Sequence, residues 1–145
     1  MPVAHAPALH AHAHRRVDHI DRAIVRVLNQ ARSFSGLPRL RLSRPLARVA
    51  RGHSGDLLRH HMLSHDSSSG APFSWRIRRV TSARTVGETI AMVRGRTTAR
   101  GVVRAWLASP EHRAVMLSPA FSRVGVGRTR RHGTSIVTAD FAGFR

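Results

Sequence analysis

The chain contains no cysteine, no lysine and no tyrosine in its 145 residues, and only 7 acids stand against 25 arginines. Without cysteine there is no disulfide framework and no thiolate chemistry. That absence alone assigns no compartment. No run of about 18 apolar residues occurs, so no transmembrane helix is expected. The opening "MPVAHAPALHAHAH" lacks the apolar core of about 7–15 residues that a signal peptide carries, so no complete signal peptide is visible. It does resemble the small-residue end of a cleaved leader. Aromatic residues make up 5%, too few to suggest stacking platforms for bases.

What is present is positive charge. The formal net charge is +18, and every basic residue besides histidine is arginine. Coding bias of a GC-rich genome accounts for arginine in place of lysine, but not for the missing acids. A field of this sign attracts anionic surfaces, whether nucleic acid, phospholipid headgroups or acidic cell-wall polymers, and costs some stability through self-repulsion. The length suits one domain. Residues 1–15 read as a disordered Ala/His-rich tail whose "HAHAH" could hold a transition metal loosely. Residues 16–145 read as a single domain, expected to be a monomer.

Periodicity places the elements. Val17, Ile20, Ile24, Val27, Leu28 and Ala31 share one helical face, with Asp18 and Asp21 in the first turns and a stop at Gly36. A second helix starts at an N-cap, Ser43, with Pro45 in its first turn. It carries Leu46, Val49, Ala50, His53 and Leu57 inward and frays between Met62 and His65. "FSWRIRR" is a short helix with Phe73 and Ile77 inward. "VGETIAM" is a strand or extended segment around Glu88. Thr97 or Thr98 caps a helix from Ala99 to Ala108, and Pro110 opens a further turn. "FSRVGVGR" and "TSIVTADFAG" form a hairpin, with Gly133 supplying positive φ. Helices first, then strands around a helix, give an α+β layered domain.

"HMLSH" would put His61 and His65 on one helical face, where they could share zinc. The metalloprotease pattern needs a glutamate after the first histidine, and Met62 stands there. "GHSGD" misses the nucleophile elbow by one residue and lies in a helical pattern. Among the acids, Asp18 and Asp21 are helix-start residues. Asp56 beside Arg59 reads as solvated, Asp66 as a loop residue, and Asp140 as a strand-end residue. Glu88 differs, because Val86, Thr89, Ile90 and Ala91 around it look buried. A carboxylate there needs a cation or hydrogen-bond partner, either an arginine or a histidine across a cleft.

Several pieces then fall in one order: "VLNQARSFSGLPRLRLSRPLARVARGHSGDL", "LSHDSSSG", "GETIAM", "VVRAWLASPEHRAVML", "FSRVGVG" and "VTADF". Together, from Val17 to Phe141, they resemble the CAP superfamily in its bacterial, cysteine-free SCP-like form. The resemblance implies an α-β-α sandwich with a small antiparallel sheet between helical layers. It implies a cleft lined by two histidines and two acids, which in some members binds zinc or another divalent ion. By position, His65 matches the first cleft histidine and Glu88 the cleft glutamate. Ser109 stands where the second glutamate belongs, and "SIVTAD" holds no second histidine. Glu111 and His112, and His53 from the second helix, are the candidates to complete the cleft. His65 is the candidate metal ligand, for a weakly bound divalent ion such as zinc.

The resemblance implies a binding or secreted-effector protein, extracellular or in the cell envelope, and does not imply a general enzymatic activity. An anionic envelope component, a lipid or a protein is the expected partner. One alternative is a hydrolase using His65 and Glu88 as acid and base, with or without a metal. Another is non-specific nucleic-acid binding through surface arginine.

Overall fold

In the computed structural model, residues 8–145 are described as backbone and His19 onward also as side chains. The chain order is α1 (Ala8–Phe34), β1 (Arg41–Leu42), α2 (Arg44–Arg59), α3 (Phe73–Arg78), β2 (Thr85–Arg94), α4 (Ala99–Ala108), α5 (Pro110–Met116), β3 (Arg123–Arg131) and β4 (Thr134–Gly143). The expected tail over 1–15 lies outside the described residues for 1–7. From Ala8 the backbone belongs to α1, which puts the helix start before the expected boundary at residue 16. No helix among the described residues is long and apolar enough to cross a membrane.

Local chemistry sets the helix ends. Ser43 caps α2 by accepting from Leu46 N at 3.3 Å, and Pro45 sits in the first turn where no amide is needed. Thr98 caps α4 by accepting from Gly101 N at 3.0 Å. The turn after α1 needs Gly36 at φ 71°. The β3–β4 turn takes His132 at φ 48° and Gly133 at φ 75°.

The sheet runs β1-β3-β4-β2. β2–β4 and β3–β4 are antiparallel, as expected, but the two-residue edge strand β1 pairs parallel to β3, so the sheet is mixed. The alternation of side chains along β4 divides the core into two. Val137, Ala139 and Phe141 join Ile24 and Leu28 of α1 and Val102, Val103 and Trp106 of α4 on one face. Ile136 and Ala142 point to the other face, against Leu57 and Leu46 of α2 and Ile77 of α3. This is the helix–sheet–helix sandwich the motifs implied.

Two interactions lock the layers. Arg32 of α1 is fully buried and donates to four carbonyls: Pro38 (3.0 Å), Met116 (2.8 Å), Ser118 (2.9 Å) and Phe121 (3.4 Å). It ties α1 to the connection before β1, to the last residue of α5 and to the loop between α5 and β3. On the opposite face α2 lies directly on β3. A Cβ on Gly125 would come within 2.0 Å of Ala47 N, and one on Gly127 within 2.1 Å of Arg51 N. Ser54 of α2 then donates to Gly127 O at 2.7 Å and is 2.8 Å from Thr138 Oγ1.

These contacts generate a paired test. Gly125→Ala places its methyl on helix backbone that cannot yield, so we expect at least the 1–3 kcal/mol typical of overpacking and a lower Tm in thermal denaturation. Gly52→Ala, in the same helix with nothing within 4 Å of its would-be Cβ, should raise stability by about 0.5–1 kcal/mol. Equal behaviour of the two variants would contradict the close seating of α2.

Candidate functional site

Glu88 is buried on β2, opposite Asp140 of β4 in the strand register. Both carboxyls therefore face the α2–α3 layer, where three cationic or titratable side chains meet them. His65, from the loop between α2 and α3, places Nδ1 2.8 Å from Glu88 Oε1. Arg76 of α3 donates through Nη2 to Glu88 Oε2 at 3.0 Å and to the His65 carbonyl at 2.6 Å. Arg76 Nη1 also lies 3.9 Å from Asp140 Oδ2. His53 of α2 brings Nε2 to 3.8 Å from Glu88 Oε1.

The protonation pattern follows from burial. Asp140 is pushed well above the usual carboxylate range by burial first, then by its hydrogen bond with Glu88 and the charge of Glu88. Neither Asp140 oxygen has a hydrogen-bond donor among the described residues. The site therefore favours the neutral form of the Asp140 carboxyl. Burial also raises Glu88, opposed by the Asp140 hydrogen bond and by Arg76. Arg76 on its Oε2 favours the charged form of Glu88.

His53 is driven down to about 4, by burial first and then by the charge of Arg76. Its ring is neutral near pH 7, so the 3.8 Å approach to Glu88 is not an ion pair. Nε2 donates to Ser64 O at 2.8 Å, which leaves Nδ1 as a buried acceptor with no partner among the described residues. His65 is the open member, with its side chain 48% exposed. Nδ1 faces the carboxylate, and Nε2 is the ring nitrogen with no hydrogen-bond partner among the described residues.

His112 of α5 is half-buried, and its pKa is lowered by burial first and then by the charge of His65. That puts α5 within electrostatic reach of the site. Glu111 is exposed in the first turn of α5, acts on His112, and makes no hydrogen bond or ion pair with Glu88, His53 or His65. His60 and His61 end α2, and His61 is at φ 52°. Asp56 is not a solvated residue: it accepts from Ser68 N at 2.8 Å and Ser68 Oγ at 2.6 Å, fastening α2 to the loop beyond His65.

Sequence reasoning missed Arg76 and Asp140. The available signal for Asp140 was period-two alternation, which sets it on the same face as Ile136 and Ala142. Arg76 carried no signal, because arginine is everywhere in this chain. Two histidines and two acids do meet, as His65, His53, Glu88 and Asp140, but the second acid comes from β4 and not from the α4 end, where Ser109 stands.

This donor set does not fit a metal ion. Among the described residues no three His, Asp or Glu are arranged to hold one. Arg76 occupies one oxygen of Glu88, and burial favours the neutral, poorly ligating form of Asp140. Beside the site lies a groove of about 550 Å³, walled by His53, Arg76 and Asp56 with the exposed Trp75, over which Arg79 stacks at 4.7 Å.

A helix–sheet–helix sandwich with a histidine–carboxylate cleft defines a class. Residues 25–141 match the family described as CAP, the cysteine-rich secretory protein family, and the chain belongs to it. It is 34% identical over 124 residues to the uncharacterized protein YkwD of Bacillus subtilis (strain 168), covering 85% of this chain and 47% of that one. It is 30% identical over 115 residues to the uncharacterized membrane protein YlbC of the same organism, covering 79% and 33%. The chain thus spans less than half the length of these relatives. An extracellular Bacillus anthracis protein containing an SCP domain superposes with a TM-score of 0.79 at 28% identity, covering 97% of this chain and 46% of that one. An outer surface protein of Borrelia burgdorferi shares the fold, with a TM-score of 0.77 at 21% identity over 86% and 92% of the two chains.

The buried His53 makes a pH prediction. Its pKa is depressed, so the stability tied to its neutral ring is present above the unfolded value of 6.5 and lost as pH falls towards about 4. Asp21, raised to about 6 by burial, acts in the opposite sense and favours the fold as pH falls through 6 towards 3.8. Comparison with His53→Asn isolates the first effect. In urea titrations, the wild-type advantage over the variant should shrink by about 3 kcal/mol between pH 7 and pH 4. A pH-independent difference would mean that His53 is not held neutral.

Proposed function

We propose that the chain is an exported binding module of the cell envelope, and that His65 is the contact group of its cleft. The observation that carries this reading is the complete engagement of Glu88. His65 takes one Glu88 oxygen and Arg76 the other, so the carboxylate orients His65 and is not available to a substrate or a metal. His65 Nε2 then offers one fixed polar contact on the surface, near the groove of Trp75 and Arg79, as suits recognition of a hydroxyl or amide. The extracellular and outer-surface descriptions of similar proteins support the location.

A second reading, an acid/base hydrolase, is favoured by one observation, the 2.8 Å contact of His65 with Glu88. That is the base–orienter half of a catalytic triad. The other half is a nucleophile, and no hydroxyl or thiol side chain hydrogen-bonds to His65 among the described residues.

Two measurements separate these readings. Zinc titration calorimetry on the wild type and His65→Ala should give no saturable binding with either at micromolar protein. Zinc affinity in the wild type that falls at least tenfold in His65→Ala would overturn the metal-free site. Cosedimentation with isolated cell envelopes should weaken about tenfold in His65→Ala, roughly the loss of one hydrogen bond to a ligand. Retained cosedimentation together with His65-dependent turnover of ester or amide substrates would favour the hydrolase.

A further inference from the structure

Away from the cleft, two depressions of about 320 and 620 Å³ meet along α1, β1 and the start of α2. They share Arg22, Val25 and Leu42, so they form one elongated groove. Its walls carry Arg22 and Arg26 from α1, Arg39 from the connection to β1, Arg41 from β1 itself, and Arg44 and Arg48 from α2. All six side chains are exposed, and none has an ion-pair partner among the described residues. The groove's own acid, Asp21, is already held by Arg51 at 2.9 Å.

This arrangement works against the fold. Arg22 with Arg26, and Arg44 with Arg48, are like charges four residues apart on their helices, a spacing that destabilises. The two pairs border one concave surface, so their fields add. Folding gives no reason to collect cations there, and binding of an anion does. Four residues of helix advance about 6 Å, so each wall presents a repeat of positive forks along the groove axis. Guanidinium forks match phosphate oxygens in bidentate fashion.

We propose that this groove binds a linear phosphodiester polymer through its phosphates. A groove between two helices accepts one extended chain, whereas a bilayer presents a plane of headgroups. No aromatic residue lines the groove, so it offers no platform on which bases could stack. The recognised element is the charged backbone alone. The site is separate from His65 and does not rest on the cleft reading.

Inorganic polyphosphate is the direct probe of phosphate recognition, since it is a linear chain of phosphates with no bases. The test compares R22Q/R26Q/R44Q/R48Q with R100Q/R104Q/R130Q/R131Q, a variant that loses the same charge from other exposed positions. In anisotropy titrations the groove variant should bind at least tenfold more weakly. Its slope of log K against log salt should shrink by about 3, for four contacts at ~0.7 each. The control variant should lose less than threefold, and His65→Ala should bind as wild type. Equal loss in both arginine variants would overturn the site in favour of diffuse charge. Tighter binding to phosphatidylglycerol vesicles than to polyphosphate, dependent on the same four arginines, would make the ligand a lipid headgroup and overturn the polymer. Oligonucleotide binding that is tighter still and varies with base sequence would overturn recognition of the backbone alone in favour of base readout.

Discussion

A carboxylate with no exposed surface is the constraint around which this domain is arranged. Removing Glu88 from water costs several kcal/mol unless compensating groups surround it. Each compensating group comes from a different element: Asp140 from the neighbouring strand, Arg76 from α3, His65 from the loop between α2 and α3. The strand pair, the short helix and the loop must therefore all be in place before Glu88 is tolerated. Burial favours the neutral form of Asp140, because two adjacent buried anions facing one arginine would leave a net charge in the interior.

The seating of α2 supplies the geometry that makes this possible. Gly125 and Gly127 let the helix backbone approach β3 at distances no side chain allows. At that depth Ser54 reaches Gly127 and Thr138, and the preceding residue, His53, comes to lie against Glu88. Asp56, one turn further, holds Ser68 and so fixes the loop that carries His65. One close helix–sheet contact thus positions both histidines. Arg32 does comparable work on the other layer through carbonyls alone.

Much of this was legible in advance. Ser43, Pro45, Thr98, Gly36 and Gly133 mark their caps and turns by local chemistry, which depends on a few neighbouring residues only. The apolar stripe of Ile24 and Leu28 announced the buried face of α1. Glu88 stood out because an acid among Val86, Ile90 and Ala91 needs a partner. The parallel edge strand β1 was not legible, since two residues carry no period. Asp56 was misjudged because its partner Ser68 lies in a loop whose path depends on the packing of α3.

The sequence by itself determined the layered α+β class, the polarity of the surface and the two residues, His65 and Glu88, whose family positions match. These properties live in local pattern and composition. Only the tertiary structure decided that Arg76 and Asp140 complete the site, that His53 is a neutral buried ring, and that Glu111 stands apart. A side chain's charge state is set by whatever the fold brings within a few ångströms of it, and strand register and helix depth are not written at any one position. In a chain with 25 arginines, which one meets the buried carboxylate is decided by where α3 lies on the sheet.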